Sequence, residues 1–164
     1  MIDLADLYAR IPRLAEADHR ITSKPAEYNC VAWVTRDFAH WWAPGIHWPP
    51  PPFPQPRGPD DDLDCYIALF ELWGYELCES EAYEQGWLKL AIYADGSAFH
   101  HVAKQLPSAA WSSKVGEAHD LRHVELEPLN QAAYWPGATA SVYMRRPDDG
   151  TDPFTLEEGH LLLP

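Results

Sequence analysis

Cys30 lies in the stretch Tyr28-Asn29-Cys30-Val31-Ala32-Trp33, directly after a residue type that caps helices and directly before an apolar run. As the first residue of a helix its sulfur would sit near unpaired backbone N–H groups and the positive end of the helix dipole, which favours thiolate, the nucleophilic form. Thiol catalysis also needs a base, and histidine is the usual one. In the stretch Ser97-Ala-Phe-His-His-Val-Ala-Lys-Gln-Leu106 the two histidines must point to opposite faces of a strand. His100 shares its face with Val102 and Lys104, whereas His101 shares an uncharged face with Phe99, Ala103 and Gln105. That polarity predicts that His101 looks toward the helices and toward Cys30. A three-residue loop at Pro107–Ala109 would pair Ala103 with Ser113 and place Ser113 on the face of His101, where it could orient the imidazole; a two-residue loop would instead place Lys114 opposite His101. Asp120, in His119-Asp-Leu-Arg-His123, is the alternative orienting group. The competing explanation is packing: free cysteines are commonly small buried hydrophobes, and Cys65 and Cys78 are read that way.

The elements that must position these groups follow from spacing. A helix is expected within residues 1–24, over about 3–16, with Leu4, Leu7, Tyr8, Ile11 and Leu14 on one stripe and a break at Pro12. A second helix is expected over 29–42, capped by Asn29, with Tyr28 and Trp33 as a hydrophobic staple. A third, rich in acids at its start, carries Leu63, Tyr66, Ile67, Phe70 and Trp73 and stops at Gly74. From Gly86 the period changes to two. Residues 86–96 and 97–107 read as strands joined at Asp95-Gly96, followed by strands at 109–116 and 139–147 and a short helix near 124–134. The fold class expected is α+β, with N-terminal helices on one face of a four- to five-stranded antiparallel sheet. Residues 43–59 hold half of the sixteen prolines and are expected as a stiff loop with Trp48 and Phe53 on the core; a proline-rich partner ligand is the functional alternative.

The 164 residues suit a single domain, divided into an N-terminal segment 1–24, a core 25–146 and a tail 147–164. A net charge of −13, from 25 acids against 12 bases, offers no basic face for nucleic acid or an anionic membrane. The three cysteines are odd in number and lack metal-binding spacing, so reduced thiols and a cytoplasmic location are expected, with no secretion signal and no spanning segment. His119 and His123 would share a helical face, yet no His-Glu-x-x-His accompanies them, and the surrounding charged stretch reads as an exposed connector; no metal or cofactor is expected. Asn29, Trp33, Trp42 and Trp48 are candidate binding residues beside Cys30, with core packing as their alternative. The tail, ending in Leu161–Leu163, is a second candidate surface for a protein partner.

The Asn29-Cys30 segment, the strand at 97–106 and Trp111-Ser-Ser-Lys-Val-Gly116 resemble an uncharacterised bacterial family with a comparable Asn-Cys segment, a His-Ala strand and a Trp-Ser-Lys-Leu-Gly strand. The likeness covers about 25–146. More distantly, a cysteine at a helix start, then a histidine on a strand, then a polar residue on the next strand is similar to papain-like hydrolases, especially NlpC-type peptidases and CHAP-type amidases. The resemblance implies a papain-like core with Cys30 as nucleophile, His101 as general base and Ser113 as orienting group, acting on a peptide, amide or protein. In NlpC-type enzymes the third position is His, Asn or Gln; here it is Ser113. Two classes therefore stand: a thiol hydrolase or transferase, and a non-catalytic binding protein using the aromatic and proline-rich surface.

Overall fold

A computed structural model describes residues 4–21, 28–115 and 120–150. Seven strands form one antiparallel sheet in the order β1-β6-β5-β4-β3-β7-β2. Their ranges are β1 His19–Ile21, β2 Glu76–Cys78, β3 Trp87–Asp95, β4 Ala98–Gln105, β5 Trp111–Lys114, β6 Asp120–His123 and β7 Thr139–Pro147. The described residues also form three helices, α1 Leu4–Arg10, α2 Cys30–Thr35 and α3 Leu63–Leu72, with 3-10 turns at Pro12–Glu16, between α1 and β1, and at Glu127–Leu129, between β6 and β7.

This corrects the expected four- to five-stranded sheet with helices on one face. Both faces are covered. On the first, Leu90, Ile92, Val102 and Met144 pack under Val31 and Trp33 of α2 and Leu69 and Phe70 of α3. On the second, Ala91, Tyr93, Ala103, Trp111 and Leu121 pack under Leu7, Ile11 and Leu14 from the N-terminal segment and Leu126, Leu129 and Trp135 from the stretch before β7. A strand buried on both faces loses the apolar–polar alternation from which a single-faced sheet is read. The N-terminal segment is likewise more than a helix: Pro12 converts its continuation into a 3-10 turn, and the chain then adds β1 to the sheet edge. Residues 120–123, expected as an exposed connector, form β6 between β1 and β5.

α2 begins where expected and ends early. Asn29 caps it by accepting from Ala32 N at 3.1 Å, and Tyr28 stacks on Trp33 at 5.9 Å. The helix stops because Arg36 turns left-handed at φ 59°, while Trp73 Nε1 donates to the carbonyl of Thr35 at 3.1 Å. Phe38 then folds back on the core, so residues 37–42 are loop. In the proline-rich loop Trp48 packs edge-on to Tyr66 at 4.9 Å and its Nε1 donates to Pro54 O, and Phe53 also lies on the core.

Two irregularities shape the end of β4. Pairing of β3 with β4 shifts between Tyr93 and Ala94, so that Tyr93 faces His101 and Ala94 faces Phe99; His100 is the extra residue of a bulge. β7 shifts against β3 between Ile92 and Tyr93. β5 pairs only with Ala103–Gln105 of β4, which leaves Ala98–Val102 without a β5 partner.

Candidate functional site

A cleft of about 270 Å³ opens at that end of β4. Cys30, His100, His101 and Lys114 all line it, and Trp41, Trp42, Tyr66, Phe99, Tyr134 and Trp135 supply aromatic walls. A larger opening, about 400 Å³, lies over Trp111 and Tyr143 and is rimmed by Glu81, Glu125 and Glu127. Its lining has no cysteine, histidine or lysine, whereas the smaller cleft brings a thiol, two imidazoles and an ammonium together and is the candidate site.

Cys30 enters from α2. Its N-cap Asn29 also lines the cleft and fixes the far wall, because Asn29 Nδ2 donates to the carbonyl of Trp42 at 2.6 Å. Burial pushes the Cys30 thiol up to about 11, against the opposing pull of the amides of Val102, Cys30 and Val31 and of the Lys114 ammonium. The helix start therefore does not yield a resting thiolate: desolvation outweighs the amides. Burial is also the first cause of the rise in Tyr66, and the nearby Cys30 sulfur is the second.

His101 does not take the side expected for it. Val102 is the β4 residue that packs with Cys30 on the first face, while His101 lies among second-face residues, stacked on Trp135 at 4.3 Å and tilted against Tyr93 at 5.3 Å. Charge does not mark the outer face of β4, because the first face holds Lys104 and Lys114, both fully buried. The imidazole nevertheless reaches the cleft, because the sheet is open beside the bulge.

The expected register holds: Ala103 pairs with Ser113. His101 Nε2 lies 3.0 Å from Ser113 Oγ, which lies 2.8 Å from His123 Nε2, and His123 Nδ1 lies 2.7 Å from the carbonyl of Glu125. These contacts fix proton positions. A carbonyl only accepts, so His123 Nδ1 carries the proton; burial holds His123 at about 4, hence neutral, and its Nε2 must accept from Ser113. Ser113 Oγ then accepts from His101 Nε2–H. His101, pushed down to about 3 by burial and then by His123, is also neutral, with Nδ1 as its basic nitrogen. Trp135 is held over the ring by its own Nε1 donating to Leu129 O at 2.7 Å.

Asp120, the alternative orienting group, lies elsewhere. It pairs across the strands with Lys114, accepts from Tyr28 Oη at 3.2 Å, and belongs to the Cys30 side of the sheet. Lys114 Nζ stands 5.1 Å from the Tyr28 ring. Of the aromatic candidates, Trp42 lines the cleft, Trp33 is fully buried beneath α2, and Trp48 serves the loop. His119 and residues 151–164 of the tail lie outside the described residues.

Sequence reasoning missed His123 and Lys114 as members of this arrangement. The signal for His123 was available: extending the Ala103–Ser113 register through a strand at 120–123 puts His123 opposite Trp111 and on the face of Ser113.

No helix among the described residues is long and apolar enough to cross a membrane. The model of one protein family, described as a domain of unknown function (DUF7689), matches residues 20–144, a span that contains every residue of this cleft. No curated protein and no solved structure matches the chain.

Proposed function

We propose that this chain, which belongs to the DUF7689 family, is a thiol acyl-transfer protein, a hydrolase or transferase acting on amide or ester carbonyls. The observation that carries the reading is the single cleft lined by both Cys30 and His101, with the His101 tautomer fixed through Ser113 and His123. Thiol and imidazole rest neutral, so deprotonation accompanies attack: Cys30 sulfur bonds to the carbonyl carbon as its proton passes to His101 Nδ1. The imidazolium gives that proton to the departing amine or alcohol, leaving a thioester. Water or a second acceptor then attacks the thioester, loses its proton to His101 and regenerates the thiol. The substrate is a neutral or weakly charged group that fits an aromatic slot; an acidic surface disfavours nucleic acid and anionic membranes. Three free thiols suit a reducing compartment, and we place the protein in the cytoplasm.

A second reading, a binding protein whose aromatic cleft holds a ligand without turning it over, is favoured by the raised thiol. Site-resolved mass spectrometry after exposure to activated esters and amides separates the two. The expected result is an acyl adduct on Cys30 that is discharged with time, with formation slowed about 10²-fold or more by His101→Asn and unaffected by Cys65→Ser. Adducts confined to Cys65 and Cys78 would sink the acyl-transfer reading and leave the binding one.

A further inference from the structure

Beyond the cleft floor, we propose that Asp37, His40 and His47 bind a divalent transition-metal ion of the zinc class. The site needs no part of the thiol chemistry. Directly after the left-handed Arg36 the chain turns, and three side chains converge: His40 Nδ1 lies 2.8 Å and His47 Nε2 3.5 Å from Asp37 Oδ2, with one donor atom from each residue within 4.8 Å of the others. Tetrahedral zinc with bonds of about 2.0–2.1 Å separates its donors by roughly 3.3 Å. The two spacings to Asp37 straddle that value, and the histidine donors lie within 4.8 Å, so loading draws the two imidazoles together around the carboxylate.

The imidazoles of His40 and His47 lie parallel with centroids 3.9 Å apart, so one ring must turn out of this stack before both in-plane nitrogens reach one ion; the His47 ring meets Trp42 edge-on at 4.5 Å. Asp37 Oδ1 accepts from Ala39 N at 3.2 Å, which orients the carboxylate. His47 is pinned by its own amide, which donates to Ala43 O at 3.1 Å. Outer contacts of this kind orient ligands and tune affinity. Two imidazoles with one carboxylate select zinc, cobalt or nickel over magnesium and calcium, which take oxygen donors. All three side chains are part-exposed, giving an ion a path in and water a place to complete the coordination. Trp42 joins this cluster to the Cys30 cleft, whose wall it forms, so a bound ion would tie down that wall.

The alternative is an ordinary surface pairing of histidines with an aspartate. Calorimetric zinc titration of the full, untagged, chelator-stripped chain decides, with cobalt absorption as a second readout. Expected are one saturable equivalent in the micromolar range, a cobalt spectrum without a thiolate charge-transfer band, and no response to magnesium. His47→Ala and Asp37→Asn should each weaken binding at least about tenfold, while His19→Ala leaves it unchanged. Near-UV dichroism, sensitive here because of eight tryptophans, verifies that each variant folds. No saturable binding at submillimolar zinc overturns the proposal. So does binding that survives the His40→Ala/His47→Ala pair, or a thiolate band assigning the ion to cysteine.

Discussion

Acidification from pH 7 to 5 should cost this protein a large part of its stability through two buried imidazoles. His101 and His123 stay neutral in the folded chain, at about 3 and about 4, whereas unfolded histidine titrates near 6.5. A depressed histidine stabilises the fold fully above pH 6.5, and that stability is lost as pH falls toward the folded value. Between pH 6.5 and 4 the unfolded chain therefore binds up to two protons that the native chain refuses. Each such proton is worth about 1.4 kcal/mol per pH unit, so integrating both groups from pH 7 to 5 gives a loss of about 4 kcal/mol. Set against a total stability of about 5–15 kcal/mol, that is enough to move a midpoint visibly. Urea unfolding followed by tryptophan fluorescence at pH 7, 6 and 5 measures it. The window lies above the titration of Asp37, where burial is outweighed by His40, the Ala39 amide and His47, and of Glu84, held down by Arg145; Asp62, raised by burial, pulls the other way as the pH falls. His123→Gln should remove about half of the pH slope, whatever its effect on absolute stability. A flat profile from pH 7 to 5, or a slope identical in His123→Gln, would show that these rings are not held neutral. The tautomer derived for His101 would fall with them.

Asn29→Ala deletes both the bond to Ala32 N and the amide donated to Trp42 O; a loss of about 1–3 kcal/mol is expected in urea unfolding, with Asn29→Asp, which keeps the cap alone, falling between. Tyr28→Phe keeps the stack on Trp33 but takes a buried donor from Asp120, for an expected loss of about 1–3 kcal/mol by the same assay; no loss would show that Asp120 is satisfied without it.

What the sequence made legible was local. Tyr28, Asn29 and Trp33 specify the start of α2 through cap and staple, and both are realised. Of the two loop lengths that Pro107–Ala109 allows, the three-residue one is realised, with Leu106 N donating to Ala110 O and Ala109 at φ 70°, and with it the Ala103–Ser113 register. What failed depended on distant chain. The side taken by His101 could not be read from charge, because Lys104 and Lys114 are buried on the face that a solvent-exposed sheet edge would have kept polar. β6 looks like a linker because Asp120, Arg122 and His123 are polar, yet two of them are fully buried by partners that lie in other strands. The length of α2 was overestimated because the left-handed turn at Arg36 and the Trp73 bond to Thr35 leave no mark in residues 36–42. The Asp37–His40–His47 cluster was invisible because it requires a loop where a helix was expected.

The position of β3 has a dynamic consequence. Its nine residues are hydrogen-bonded on both edges, to β4 and β7, and both of its faces lie in packed cores. Unzipping it exposes both cores together, so its opening approaches global unfolding in cost, whereas β1 and β2, three residues each at the outer edges, can fray alone. The cleft is set against this stiff centre through β4. Its floor thus behaves as a fixed anvil, and any ligand must be accommodated by the loop carrying Trp41 and Trp42 and by the Tyr134–Trp135 segment on the opposite side.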